Sequence, residues 1–339
     1  MNTDRCVKRF IVSGLFLLFS SLIFILPGCD SRKSADVTTV GIVLFGDSRQ
    51  PQVDGFKDEL DKLGNKNGES IQYITRNAKN KRPELKKLVQ ELLDQNVDLL
   101  VAAGGLEADT MKKLVVDKNV PVVVLYINAI IERGLVKSRR EPGWSVTGVD
   151  NLNAELSGKR IEVMQELLPD MKRILILYYK KIAPSRIGVK RAQLMAVKKD
   201  LIIDARAVSS RDEMRHVMEN LKPGEVDAML TVPTAPIDNA MKEIILPNVK
   251  RLKLPLMTHS RPLAEKGALA SYGAHFYDMG AQAARLADKI IKGVAPAKIP
   301  FETPKKFIYT INKGVMEEQG IELTEIARNQ VNEYITTTK

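Results

Sequence analysis

The sequence predicts an α/β protein with two doubly wound, Rossmann-like lobes joined by hinge crossings. Short continuous apolar runs, typical of parallel strands covered on both faces, alternate along the chain with amphipathic helices. The alternation forms two series of similar length, and the chain returns for further elements after the second series. The 339 residues are enough for about two domains.

The first series has the order strand, helix, strand, helix, strand. Apolar strands are predicted at 40–45, 97–103 and 120–127. A helix that begins at Pro83 carries one apolar stripe, and a second helix follows the Gly104-Gly105 turn and runs through Leu114. Right-handed connections of this kind produce a parallel sheet.

The second series begins after 146–149. Its predicted helices cover 156–168, 185–199, 237–252 and 277–292, with a further one that starts at a Ser210–Glu213 capping box. Its predicted strands cover 173–179, 201–208, 226–232, 254–258 and 307–311. We therefore assign 38–147 plus 273–307 to the N-terminal lobe and 148–272 plus 308–330 to the C-terminal lobe, with a tail at 331–339.

The N-terminal segment has the pattern of an export signal. Arg5, Lys8 and Arg9 precede an uncharged apolar run at 10–26. Leu26-Pro27-Gly28-Cys29 resembles a bacterial lipobox, which implies a signal peptide at 1–28, a lipid on Cys29 and a tether at 29–37. An uncleaved membrane anchor is the alternative. Both place the body outside the cytoplasm, at the periplasmic or extracytoplasmic face of the cell membrane.

Composition excludes several classes of protein. The chain is 44% hydrophobic and 27% charged, which argues against disorder and against a polytopic membrane protein. Its two cysteines, Cys6 and Cys29, lie outside the body, so neither a disulfide framework nor a structural zinc cluster is expected there. The formal charge is +11. The export signal argues against nucleic acid as a partner, and we expect the basic body to interact with anionic lipid headgroups instead.

Catalytic motifs are missing from the sequence. The Gly104-Gly105 pair lacks the spacing of a phosphate-binding loop, and there is neither a Gly-x-Ser-x-Gly elbow nor a cysteine in the body. Carboxylates such as Glu84, Asp94 and Glu219 fall on polar helix faces, where solvation explains them. We expect neither an enzyme nor a bound metal or cofactor.

The order of several short motifs carries a family resemblance. Val146-Thr147-Gly148-Val149 precedes a helix that ends in Glu166-Leu167-Leu168-Pro169, and Gly267–Gly273 precedes Gly280 and Gly293. The chain resembles the substrate-binding proteins of ABC transporters, in particular binders of tryptophan and other aromatic amino acids. The resemblance implies a type I periplasmic-binding-protein fold with three hinge crossings, no enzymatic activity, and a permease with its ATPase as partners.

The chain departs from the family pattern at three strand ends. Gly105-Leu106-Glu107-Ala108 stands where the family usually has Gly-Thr followed by small residues. Ala129-Ile130 replaces a frequent Asp-Pro, and Ala235-Pro236 replaces an Asp-Asn. These changes affect polar ligand positions, so the resemblance alone does not identify the ligand of this chain.

Topology predicts which residues contact a ligand, because the carboxyl ends of parallel strands meet at one edge. The predicted set is Asp47, Ser48, Gly105, Leu106, Glu107, Asn128, Ser185, Arg186, Thr234 and Tyr272. The helix start at Gly105 would hold a carboxylate, although a plain turn explains this glycine equally well. Asp47 would pair with an ammonium group or form a turn, and Tyr272 would stack on the ligand or pack in the hinge. Arg186 would clamp a carboxylate or remain solvated.

Two functions fit these predictions. The first is a membrane-anchored solute-binding protein of an ABC importer, with an amino acid or another carboxylate as its ligand. The second is a sensory or interaction module on the same scaffold, which signals to a membrane partner when it closes on a ligand. Both need the same hinge and cleft, so the sequence alone leaves the choice open.

Overall fold

A computed structural model describes residues 37–337, which form one compact unit with two sheets. The first sheet is entirely parallel and has the strand order β2-β1-β3-β4-β5. Its strands are β1 (Thr38–Leu44), β2 (Ile71–Asn77), β3 (Leu99–Ala102), β4 (Val122–Ile127) and β5 (Val146–Asp150). The predicted lipidation at Cys29 lies outside the described residues.

Helices cover both faces of this sheet, because alternate strand residues point to opposite sides. Val43 packs on one side against α2 (Glu84–Asp94) and α3 (Gly105–Val115). Ile42 and Leu44 pack on the other side, against α1 (Gln50–Lys62) and α10 (Phe276–Ile291). We call this sheet and these four helices the first lobe. Its core includes the buried Trp144, whose indole Nε1 donates to the Leu135 carbonyl at 2.9 Å.

The second sheet has seven strands in the order β12-β11-β10-β9-β8-β6-β7, parallel throughout except for the antiparallel pair β10–β11. The strands are β6 (Arg173–Tyr178), β7 (Ile202–Ala207), β8 (Ala228–Leu230), β9 (Leu256–Thr258), β10 (Ala270–Gly273), β11 (Ile308–Asn312) and β12 (Glu333–Ile335). Strand β12 falls in the segment that the sequence assigns to a tail, and it pairs in parallel with β11.

The helices of the second sheet pack on one continuous core. They are α4 (Ser157–Leu167), α5 (Ala183–Lys198), α6 (Arg211–Glu219), α7 (Ala235–Ala240), α8 (Leu246–Arg251), α9 (Arg261–Glu265), α11 (Lys313–Glu318) and α12 (Glu325–Gln330). The Ser210 hydroxyl accepts from the Glu213 main-chain N–H, as the predicted cap requires. This sheet and its helices form the second lobe.

One predicted helix, 237–252, is interrupted. Residues Met241–Ile245 form a π-helical turn between α7 and α8. Pro247 stands just after this turn and has no N–H to donate to a carbonyl in the preceding turn, so regular α-helical bonding cannot continue through it. The physical reason for the difference is therefore local backbone chemistry.

Three segments connect the lobes: 151–156, 274–275 and 292–307. Asp150, the last residue of β5, directly precedes the first connecting segment, and its buried carboxylate accepts from Arg139 Nε at 2.7 Å. Burial raises the pKa of Asp150 to about 6, against the opposing effect of the Arg139 charge.

Within 37–337, no helix is both long and apolar enough to cross a membrane.

Candidate functional site

A cavity of about 280 Å³ lies between the two lobes, at the carboxyl ends of strands from both sheets. Phe45 and Asn128 follow strands β1 and β4, and Gly105 begins α3. Thr234 follows strand β8, and His259 directly follows strand β9. A ligand in this cavity would contact both lobes at once.

Three arginines, Arg49, Arg82 and Arg133, line the wall that belongs to the first lobe. Arg133 Nη2 donates to the Asp109 carboxylate at 2.6 Å. The Nε atoms of Arg49 and Arg133 are both buried, and neither forms a hydrogen bond with any described residue. Because a buried donor without a partner is costly, an acceptor on a bound molecule would be favourable at this wall.

Glu107 is turned away from the cavity. Its buried carboxylate accepts from the Phe45 main-chain N–H at 2.8 Å and lies 3.8 Å from Arg49 Nε. It therefore offsets part of the charge of Arg49 from behind the wall. At Gly105, a Cβ atom would lie 3.0 Å from Arg133 Nη2, so this glycine lets the guanidinium pack against the start of α3.

The opposite wall presents four polar side chains, those of Thr234, Asp238, Asn239 and His259. His259 Nε2 lies 3.5 Å from Asp238 Oδ2. Thr234 Oγ1, Asp238 Oδ1 and His259 Nδ1 are buried and have no hydrogen-bond partner among the described residues. An ammonium group or other donor could satisfy Asp238, whereas a carboxylate could be held by the facing arginines.

Apolar side chains line the rest of the cavity, between the two polar walls. They are the side chains of Phe45, Leu106, Tyr126, Ile127, Ile182, Pro184, Pro233 and Pro236. A cavity of this kind suits a small molecule with an apolar body and polar groups at fixed positions. Among residues 37–337, there is no cluster of three or more His, Cys, Asp or Glu side chains that could hold a metal ion.

A family model described as ABC transporter substrate binding protein matches residues 38–334. The chain belongs to this family. The family inferred from the sequence motifs is thereby confirmed, and the fold class is confirmed by the two sheets and by the structural relatives. Members of the family are extracytoplasmic proteins that bind small molecules and work with ABC permeases.

Among the relatives, a "Tyrosine-binding protein" of Clostridioides difficile is 25% identical over 293 residues, which cover 85% of this chain and 81% of that protein. The solved structure of an ABC domain from Streptococcus pneumonia, in complex with L-Trp, has a TM-score of 0.78 at 23% identity and covers 88% of this chain and all of that one. A conserved domain protein from Vibrio cholerae has the same TM-score at 20% identity, with the same coverage of both chains.

Four of the predicted ligand contacts of this substrate-binding protein line the cavity: Gly105, Leu106, Asn128 and Thr234. Glu107 lies behind the wall, as described above. Ser185 is fully buried beneath the start of α5, where its hydroxyl accepts from the Tyr179 main-chain N–H at 2.9 Å.

The remaining predicted contacts lie outside the cavity lining. Asp47 and Ser48 are exposed, and the Asp47 carboxylate accepts from Asn77 Nδ2 at 2.7 Å. Arg186 is exposed and donates to the Lys180 carbonyl at 2.8 Å. Tyr272 stacks on Phe307 with their ring centroids 6.1 Å apart. A ligand-binding role for these residues stays a prediction.

Sequence reasoning missed most of the residues that line the cavity of this substrate-binding protein, among them Tyr126, Arg133, Asp238 and His259. His259 follows strand β9 as Asn128 follows strand β4, so the same topological rule could have found it. Asp238 lies one turn inside α7, and Arg133 lies in the loop after β4. Whether these side chains point into the cavity depends on the local backbone geometry, which leaves no periodic pattern in the sequence.

Proposed function

We propose that this protein captures an α-amino acid, or a closely similar carboxylate, in the cavity between the lobes and delivers it to an ABC permease with its ATPase. The observation that carries the proposal is the opposition of unsatisfied groups across the cavity. Arg49 and Arg133, each with a buried Nε that has no hydrogen bond to a described residue, line one wall, and Asp238, whose buried Oδ1 likewise has none, lines the other. A zwitterion would supply the missing partner on each wall.

The apolar lining favours an amino acid with an apolar or aromatic side chain. Leu106 and Tyr126 offer a surface on which such a side chain can pack, and both lie on the arginine-bearing wall. The names of the relatives support this choice, since one is a tyrosine-binding protein and another was solved with L-Trp. Closure of the lobes about their connecting segments would then enclose the ligand.

The binding proposal predicts a specific effect of Asp238→Asn. Loss of the charge should weaken L-tyrosine or L-tryptophan binding about 10- to 100-fold, because a hydrogen bond to a charged group contributes about 1.5–3 kcal/mol. The analogue 3-(4-hydroxyphenyl)propionate lacks the ammonium group. We expect the unaltered protein to prefer L-tyrosine over this analogue, and the variant to lose that preference. Titration calorimetry measures both affinities.

A matched control is Asp94→Asn, which removes an exposed carboxylate at the end of α2. It should bind as the unaltered protein does. Failure of the unaltered protein to bind any amino acid in a thermal-shift screen would refute the ligand class. An undiminished preference for L-tyrosine in Asp238→Asn would refute the role of this carboxylate.

We further propose that Cys29 bears a lipid that holds the protein at the extracytoplasmic face of the membrane. Cys29→Ser should release the protein from the membrane fraction, because one lipidated residue would be its only attachment. Fractionation and mass determination of the N-terminus test this. Membrane retention with an unprocessed N-terminus would support an uncleaved anchor instead.

A further inference from the structure

Arg160, on α4, is fully buried and forms an unusual set of hydrogen bonds. Its Nη1 and Nη2 atoms donate to the main-chain carbonyl and to Oδ1 of Asn153, both at 2.6 Å, and its Nε donates to the Tyr272 carbonyl at 2.8 Å. The acceptors that its nitrogens reach among residues 37–337 are two main-chain carbonyls and one amide oxygen. Burial lowers the pKa of Arg160 to about 9, which leaves the guanidinium charged at neutral pH.

These bonds fix the orientation of the Asn153 amide. A guanidinium can only donate, so Asn153 must present its oxygen to Arg160 and its NH₂ group to the other side. That NH₂ group lies 3.1 Å from the Tyr126 hydroxyl oxygen. Since the NH₂ group can also only donate, Tyr126 is the acceptor, and its own hydroxyl proton is left for another partner.

Tyr126 is one of the residues that line the cavity. The ring meets Phe276 edge-on, with their centroids 5.0 Å apart, and the Arg49 guanidinium lies 5.2 Å from the Tyr126 centroid. Burial raises the pKa of Tyr126, so the hydroxyl keeps its proton. No acceptor for this proton is found among the described residues, although Tyr126 lines the cavity.

We propose that Tyr126 is a specificity-determining residue that donates its hydroxyl proton to an acceptor atom of the bound ligand, and that Asn153 and Arg160 are positioning residues that enforce this direction. The proposal rests on the cavity being the ligand site, as argued above. It assigns a carboxylate, carbonyl or hydroxyl oxygen of the ligand to the position beside Tyr126. An ammonium group is disfavoured at that position, since it would leave the hydroxyl proton without an acceptor.

The direct test is Asn153→Asp, which reverses the polarity with almost no change of shape. One oxygen of the introduced carboxylate still accepts from Arg160, and the other now accepts the Tyr126 proton. We expect the fold to be retained and the affinity for L-tyrosine or L-tryptophan to fall about tenfold or more, as in Tyr126→Phe, because the ligand loses the same donor. In a Tyr126→Phe background, Asn153→Asp should have no further effect.

Tyr73→Phe is the control, since it removes a different first-lobe hydroxyl, one with no hydrogen-bond partner among residues 37–337, and we expect it to bind normally. If Asn153→Asp weakens binding equally with and without the Tyr126 hydroxyl, a plain charge effect explains the loss and the proposal is wrong. If Tyr126→Phe binds as tightly as the unaltered protein, the proposal is wrong as well.

A readout without ligand separates this proposal from the proposed function. The ¹³Cζ resonance of Tyr126 reports whether its hydroxyl accepts or donates, and Asn153→Asp should shift it in the ligand-free protein. An unshifted resonance would overturn the positioning role. If the resonance shifts but neither amino acid binds to the unaltered protein, the network is supported and the proposed ligand class fails.

Discussion

Gly280→Ala should lower the free energy of unfolding by about 3 kcal/mol, the upper part of the range for overpacked sites. A Cβ atom at Gly280 would lie 1.8 Å from the main-chain oxygen of Gln52, and a Cβ at Gly55 would lie 2.1 Å from the main-chain oxygen of Tyr277. Both obstacles are backbone atoms of a packed helix, so no side-chain rotation relieves the clash. Helices α1 and α10 would have to separate.

Urea denaturation measures this effect, and the melting temperature should fall by roughly 4–5 °C for a chain of this length. Gly314→Ala provides the comparison, because a Cβ there would meet its nearest neighbour, Asn312 Oδ1, at 3.6 Å. That variant should be as stable as the unaltered protein or slightly more stable, since alanine favours the helix. Equal stability of the two alanine variants would show that the helix contact is looser than described.

Arg160→Met should also destabilise the protein by about 3 kcal/mol. The substitution relieves the cost of burying a charge, but it leaves three acceptors without a donor: two oxygens of Asn153 and the Tyr272 carbonyl. Each unsatisfied buried group costs about 1–3 kcal/mol, so the loss exceeds the relief. Asn153 lies on the first connecting segment and Tyr272 lies in β10, just before the second, so both regions should loosen together.

Arg173→Met is the matched control, because Arg173 is exposed at the start of β6. It should change the free energy of unfolding by less than about 0.5 kcal/mol. Equilibrium denaturation of both variants decides the matter. A stable Arg160→Met protein would mean that water or a rearranged amide replaces the guanidinium as donor.

The sequence predicted most strands of both sheets because central parallel strands are continuous apolar runs. Strand β2 escaped prediction because it lies at the edge of its sheet, where polar Gln72 and Arg76 interrupt the pattern. Helix α1 was overlooked although Val53, Phe56 and Leu60 form a buried stripe at helical spacing. The π-helical turn leaves no such trace, since apolar residues continue through it and Pro247 is the one local hint.

The site was harder to predict than the fold because it depends on where side chains point. Strand order brought Gly105, Leu106, Asn128 and Thr234 to the cavity as expected. The same rule could not show that Glu107 turns back to Phe45. Contacts between residues far apart in sequence decide such orientations.

The single tryptophan makes the two lobes separately observable in one spectroscopic experiment. Trp144 is buried in the first lobe, so its emission reports loss of structure there, whereas far-ultraviolet circular dichroism reports both lobes. Transitions that coincide would mean that the connecting segments transmit unfolding cooperatively. If the two transitions occur at different denaturant concentrations, each lobe has its own free energy of unfolding, and both values are obtained without labelling or dividing the chain.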